Sequence, residues 1–467
     1  MPLQRSPVLY WALFFLVGCG FILRPHWSLS LPLLALLISS KRKVQGLVFV
    51  VAGVLYTLVR CPSCEGIELE GRGIFQLEQI QPSSSPFVRS FALKGKLMAF
   101  EGYSHLPCVI MQRKVPSGSR WIVQGRYENG MLKCKKGAIW QELEPPLSLA
   151  RWRFANKKRV RRYFHKRYSG AVGHFFASIS TGDPDDRLLS MEFRKVGLGH
   201  ILAISGFHFA LVAGMLGWIL GLFLPKRRAY GFLLVLLSGY YLFLGYSPSV
   251  MRAFLMIGLF VLGKLLKRQI DVCNLLGVAL LFELALDPRV ATSVGFQLSF
   301  LATFGILVFY RPMLGLVGRI LPVRKFSEVE SFSRLDQHGY LLSSWIRKGI
   351  ALNLAVHMVT LPISLYVFGS FPLLSLGYNL VIPPFLALSM ALIPFGVLLP
   401  LLGALNAKFT GLLLKIIANP PELLHFQIFA TDLPYWGVVA CATIIGVFGL
   451  RKRGEIDMIG RSSLWRS

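Results

Sequence analysis

Residues 197–221 read GLGHILAISGFHFALVAGMLGWILG. The stretch is apolar and long enough to cross a bilayer, which takes ~20 residues of helix. It nonetheless carries His200, Ser205 and His208. Polar side chains at membrane depth are costly, so they are functional candidates by default. On a wheel of ~3.6 residues per turn, Gly199, Ala203, Gly206, Ala210, Gly214, Gly217 and Gly221 recur along one side. Such a seam of small residues lets a neighbouring helix approach closely. His200 and His208 fall roughly opposite the seam, with Ser205 at the edge of their arc. The pattern predicts one continuous span, packed behind and wetted in front.

The rest of the chain gives that span its company. Of 467 residues, 54% are hydrophobic, and the mean hydropathy of +0.57 lies above that of ordinary soluble domains. Apolar runs at 7–23, 28–39, 44–59, 197–224, 230–246, 250–266, 272–286, 290–310, 350–368, 373–399, 401–417 and 434–450 predict about twelve spans. The net charge of +29 sits largely in clusters at segment ends, as the positive-inside rule requires of cytoplasmic loops. That rule places both termini in the cytoplasm and the region after Val59 outside. The first run lacks a small-residue cleavage site, so it reads as an anchor.

Residues 61–150 change character. Alternating runs at Ile67–Leu77, Phe91–Phe100 and Trp121–Tyr127 read as strands, and Asn129-Gly130 as a hairpin turn. About five short strands in this length suggest a small barrel of the OB type. The expected fold is therefore a polytopic α-helical membrane protein with a small β-barrel, OB-like extracytoplasmic domain inserted after the first spans. The expected units are 1–60 (N-terminal transmembrane segments), 61–150 (the barrel), 151–196 (a basic amphipathic linker), 197–450 (the main transmembrane domain) and 451–467 (a cytoplasmic tail). Cys61, Cys64, Cys108 and Cys134 lie in this outer region and are candidates for one or two disulfides.

Residues 151–167, RWRFANKKRVRRYFHKR, carry nine basic side chains and no acid. These are Arg151, Arg153, Lys157, Lys158, Arg159, Arg161, Arg162, Lys166 and Arg167, with Trp152, Phe154, Tyr163 and Phe164 among them. One role is an amphipathic segment lying on anionic membrane lipids. The other is an electrostatic funnel for a polyanion, with aromatics for base stacking. The two are compatible.

Arg252 stands about one turn into a span, either reaching the interface or facing inward to a phosphate or an acid. Asp271, Glu283 and Asp287 are its candidate partners. Gln297 and Ser299 suit interhelical hydrogen bonds or substrate contact. Asn379 precedes Pro383-Pro384, where a helix break lining a cavity is expected. Ser205 and His208, three apart on one helix, also allow a Ser–His dyad, though no third orienting group accompanies them. No P-loop and no H-E-x-x-H occurs, so no catalytic residue, metal or cofactor is assigned.

The stretch GLGHILAISGFHFALVAG (197–214) resembles the signature of the ComEC family of competence proteins, with Phe207 where members usually carry leucine. SPSVMRAFLM (247–256), DPRVATSVGFQLSFLATFGIL (287–307) and LPISLYVFGSFPLLSLGYNLVIPP (361–384) are similar in the same order, and STGDPDDRLLSMEFRKVG (180–197) fits the lead-in. The resemblance implies a bacterial inner-membrane channel for single-stranded DNA, with an OB-like domain at 61–150. By it, His200, Ser205, Gly206, His208, Arg252, Gln297 and Asn379 would line or shape the channel. Many members add a metallo-β-lactamase-like domain with an H-x-H-x-D-H motif, absent from this sequence. The resemblance then implies a non-enzymatic channel served by a separate DNA receptor, nuclease and cytoplasmic motor, with homo-oligomerisation open. An intramembrane Ser/His hydrolase and a transporter of a smaller anionic substrate are the alternatives.

Overall fold

The structure, a computed structural model, describes residues 6–39, 42–61, 68–82, 91–103, 106–112, 115, 118–128, 130–134, 139–143, 148–183, 186–202, 205–324, 326–420, 427–429 and 434–464. Cys64, Asn129 and Ala203 lie outside these described residues.

Three helices open the chain: α1 (Pro7–Leu23), α2 (Ser30–Ser39) and α3 (Lys43–Arg60). Glycines let α1 and α3 approach closely. Any Cβ at Gly18 would strike the Val50 carbonyl, one at Gly46 the Phe14 ring, and one at Gly53 the Phe15 carbonyl. Small-residue packing of this kind is how helices associate where burial against lipid supplies little drive.

Six strands follow: β1 (Glu68–Pro82), β2 (Phe91–Phe100), β3 (Leu106–Gln112), β4 (Arg120–Glu128), β5 (Met131–Lys133) and β6 (Trp140–Glu142). Strands β1-β2-β3-β5-β4 close on themselves through the β1–β4 pairing, with β6 appended to β4. All pairings are antiparallel except β3 with β5. This is a five-stranded barrel of the OB type. Alternation fills it: Phe75, Leu77, Leu93, Leu97, Leu106, Cys108, Ile110, Val123, Tyr127 and Leu132 point inward and are buried. Gly130 at φ 79° makes the tight β4–β5 turn. Lys96 ties the barrel to the helices, its Nζ lying 3.0 Å from Glu78 Oε1 and 2.5 Å from Asp287 Oδ2. Burial works against its charge, yet the two carboxylates hold its pKa above the ordinary lysine value.

The expected basic linker is folded into α4 (Leu149–Arg167), α5 (Gly170–Thr181) and α6 (Arg187–Lys195). Helix α5 is a core element, burying Phe175, Phe176 and Ile179 in the largest hydrophobic cluster of the molecule. Then come α7 (Gly199–Leu202), α8 (Gly206–Phe223), α9 (Lys226–Leu244), α10 (Pro248–Leu265), α11 (Val272–Leu286), α12 (Val294–Ile320), the short α13 (Phe326–Glu330) and α14 (Arg334–Phe368). Strand β7 (Ser370–Pro372) leads into α15 (Leu374–Leu398) and α16 (Pro400–Ala418), and β8 (Gln427–Phe429) pairs back on β7 before α17 (Tyr435–Leu464).

Helices α3, α8, α10, α12, α14, α15 and α16 are long and apolar enough to cross a bilayer, and α1, the α2 region, α11 and the start of α17 are shorter apolar helices. Every apolar run read from the sequence is helical at its core. The fold is that of a helical membrane protein carrying a small barrel. One expectation fails at Pro383-Pro384, where α15 runs through without a break. Neighbouring helices pack against it there: buried Ile382 and Leu386 join the large cluster, and Asn406 and Thr410 of α16 hydrogen-bond Ser389. Proline has no N–H, so the carbonyls of Asn379 and Leu380 still lose their helical donors.

Candidate functional site

The stretch expected to be a single span is broken instead. Helix α7 ends at Leu202, residues 203–204 lie outside the described residues, and α8 restarts at Gly206. Ser205 has extended backbone, φ −94° and ψ 169°, and caps the start of α8. Its backbone N–H donates to His208 Nδ1 at 3.2 Å, and its Oγ lies 2.8 Å from the same nitrogen. A backbone N–H can only donate, so Nδ1 accepts and the proton of the neutral ring sits on Nε2. That Nε2 is buried without a hydrogen-bond partner among the described residues, and His208 is 1% exposed.

The break also undoes the wheel. Gly214 and Gly221 face open space, and Gly217 meets only the tip of Leu233. The packed side of α8 is formed by Phe209 and Ala213, which join Leu233, Leu237, Val250 and Ala253 in a cluster with α9 and α10. Bulky side chains bury more apolar area than a glycine seam does. Of the seam residues on α8, Gly206 makes the demanding contact, and it is with Arg252. The Nη2 of Arg252 stands where a Cβ at Gly206 would sit, at 2.5 Å from that position.

Arg252 is therefore an inward arginine, 7% exposed, with Nη1 unpartnered among the described residues. The Phe300 ring lies beneath its guanidinium at 5.8 Å. Of its three candidate acids, Asp271 instead caps α11 through Cys273 N–H and bonds Ser6, and Asp287 serves Lys96 and Arg289 N–H. Glu283, fully buried, is the acid that interacts electrostatically with Arg252. Neither of its oxygens has a hydrogen-bond partner among the described residues, and the two groups do not reach ion-pair distance. Ser249 completes the corner by accepting the Gly206 N–H at 3.1 Å.

The structure thus brings together Ser205, Gly206, His208 and Arg252. His200, on α7, is exposed and has His208 and His357 as charge neighbours. Gln297 stands apart, donating from Nε2 to the Ala291 carbonyl at 2.8 Å. Asn379 is half-buried on α15, its side chain without a recorded bond and its carbonyl freed by Pro383. Sequence reasoning missed Ser249, His357 and Arg347. The last is 3% exposed and donates to the Leu321 and Pro322 carbonyls at the end of α12. An ionisable residue inside an apolar run was the available signal for His357. Among the described residues, no three His, Cys, Asp or Glu side chains gather as a metal site.

Helix α4 has two basic faces. Arg153, Lys157 and Arg161, spaced four apart, turn inward. Arg153 Nε donates to the Leu242 carbonyl and Lys157 Nζ to the Leu244 carbonyl, each at 2.8 Å, capping the C-terminus of α9. Lys157 and Arg161 also reach Asp183, at 3.4 and 2.9 Å. Burial lowers the Lys157 pKa while Asp183 opposes the shift. Arg151 pairs with Glu142. Lys158, Arg159, Arg162, Lys166 and Arg167 are exposed, beside exposed Trp152 and Tyr163. Cys61, Cys108 and Cys134 are free thiols, so the expected disulfide is not formed among them. Burial pushes the Cys108 thiol up to about 12.

A helical membrane protein with an OB-type barrel, a helix with an exposed basic face, and buried Arg252 and Glu283 beside a broken helix defines the class. The Competence protein family matches residues 186–454. The chain belongs to that family, the ComEC family of competence proteins. ComE operon protein 3 of Bacillus subtilis (strain 168) is 29% identical over 328 residues, covering 60% of this chain and 38% of that protein. The chain thus matches less than half the length of that relative. No solved structure matches the chain.

Proposed function

We propose that this chain is a channel that passes a single DNA strand across the bacterial inner membrane during competence. About twelve spans, the helical runs named above, form it, with both termini cytoplasmic and the barrel and α4 outside. The exposed basic face of α4 gathers the strand. His200, Ser205, Gly206, His208, Arg252, Gln297 and Asn379 line or shape the path, and membrane lipids surround it. The chain is not itself an enzyme; a receptor, a nuclease and a cytoplasmic motor act beside it, and two copies can assemble. The observation that carries this reading is the inward Arg252 at the break between α7 and α8, inside the family-matched residues.

The test is reconstitution into liposomes with a fluorescent 40-nucleotide strand outside and nuclease added afterwards. Protected signal that needs the protein supports the channel. Equal protection in empty liposomes, or passage of mononucleotides but not the strand, refutes it in favour of a small-anion transporter.

The Ser205–His208 distance of 2.8 Å favours one second reading, an intramembrane hydrolase. Against it, the cap geometry already accounts for that contact, and among the described residues no acid orients Nε2. Labelling of Ser205 by a fluorophosphonate probe decides between them.

A further inference from the structure

The Arg252 site has an electrostatic problem that no described group solves. Helix α8, 18 residues long, directs its positive N-terminal end at the corner where the guanidinium sits. A helix N-terminus carries roughly half a positive charge, and Arg252 adds a full one. The guanidinium itself lies out of water, since Arg252 is 7% exposed, and so does Glu283, which is fully buried. Glu283 is the acid in electrostatic reach, yet it makes no ion pair with Arg252 and both its oxygens lack hydrogen bonds. Arg252 Nη1, a donor, lacks an acceptor. Buried donors and acceptors are nearly always paired, so both ends of this arrangement are waiting for something.

The opening to the site is set by Gly206. Ser205, Gly206 and Ser249 are half-buried beside a buried Arg252, and any side chain at Gly206 would collide with the guanidinium and push it from the helix end. The chemistry of the unpartnered Nη1 calls for a group with a negative charge and two terminal oxygens. The oxygens match the guanidinium fork, whose Nη1 has no acceptor among the described residues, and the charge suits the positive helix end.

We propose that the N-terminus of α8 and Arg252 form a docking site for one phosphodiester group, and that Glu283 is its competitor for the arginine. This rests on the channel reading above. With the site empty, Glu283 steadies Arg252; with a phosphodiester present, the guanidinium turns to it, and Glu283 keeps the hold short. Transport needs a site that binds well enough to admit the substrate and weakly enough to release it. The two residues then have opposite effects on binding, which a merely structural ion pair does not predict.

The experiment uses the full chain in phosphatidylcholine nanodiscs. The probes are a fluorescent 20-nucleotide strand and the same strand with a methylphosphonate backbone, which is uncharged. Arg252→Gln is expected to weaken binding of the charged strand roughly tenfold, the loss of one charge-assisted contact. Arg252→Lys falls between, since it keeps the charge and loses the fork. Glu283→Gln is expected to tighten binding several-fold and to slow release. The uncharged strand should respond to none of these changes. Arg252→Gln with unaltered binding, or Glu283→Gln that weakens it, overturns the proposal. If Arg252→Gln fails to fold, Arg252→Lys and the charged-to-uncharged ratio in the unaltered protein carry the test. Nanodiscs containing phosphatidylglycerol distinguish a lipid phosphodiester: loss of the Arg252 dependence there overturns the strand as ligand. Protein-dependent strand entry with Arg252-independent binding would leave the channel standing and remove only this site.

Discussion

Neutralising the outer face of α4 tests whether it gathers DNA, and the structure says which residues to change. Lys158, Arg159, Arg162 and Lys166 are exposed on one side of the helix, whereas Arg153, Lys157 and Arg161 hold α9 and Asp183. Each phosphate neutralised on a single strand contributes about 0.7 to the slope of log affinity against log salt. Changing the four outer residues to glutamine should therefore flatten the slope by about 2.8. Between 50 and 200 mM salt, that corresponds to roughly a 50-fold smaller loss of affinity than in the unaltered protein. Fluorescence anisotropy of a labelled strand on the full chain, across five salt concentrations, reads it directly. Arg161→Gln serves as the control and should leave the slope alone. A slope unchanged by the quadruple substitution, or changed as much by Arg161→Gln, refutes the division into two faces and leaves α4 a membrane-surface helix.

Other expectations follow from particular contacts. Lys157→Ala removes a charged donor from the Leu244 carbonyl and should cost about 1.5–3 kcal/mol, measured by thermal unfolding in detergent. Gly53→Ala should destabilise by roughly 1–3 kcal/mol through collision with α1, whereas Gly214→Ala should gain up to about 1 kcal/mol, because open space surrounds it on a helix. The Cys108 thiol should resist maleimide at pH 8 until the barrel unfolds. Its folded pKa is raised, so its stabilising contribution is whole below an ordinary thiol value of about 9.0 and is lost as pH rises toward about 12. Alkylation of Cys108 in the folded state at pH 8, at the rate of a peptide thiol, would contradict that burial.

The barrel was legible because strand alternation and the glycine turn report directly on backbone geometry. The helices were legible because an apolar run of sufficient length has few other fates in a membrane protein. The break at Ser205 was not, since the run around it remains apolar in sequence and Ser205 itself is the mark of the change. A helical wheel drawn through that point carries one register across two helices, which is why the glycine seam looked like a packing face. The Pro383-Pro384 reading failed for the opposite reason: local chemistry favours a break, and packing against α16 overrides it. The two faces of α4 were hidden because their distinction depends on the carbonyls of a helix some ninety residues later. Arg252 and Glu283 were each visible as misfits in apolar runs, and their nearness needed the fold.

That nearness has a consequence for how the chain enters the bilayer. Arg252 lies near the start of α10 and Glu283 near the end of α11, joined by the short turn 266–271. An arginine or aspartate at the middle of an isolated span opposes insertion by about 2.5–3.5 kcal/mol, and α11 has only 15 residues with which to compensate. Entering together, the antiparallel hairpin would bring each charge within electrostatic reach of its opposite, short of an ion pair, before either meets lipid alone. Synthesis from the amino terminus releases α10 first, so its arginine must wait, at the translocon or near the headgroups, until α11 has emerged. The hairpin, and not the single helix, is then the unit of membrane insertion for this part of the molecule.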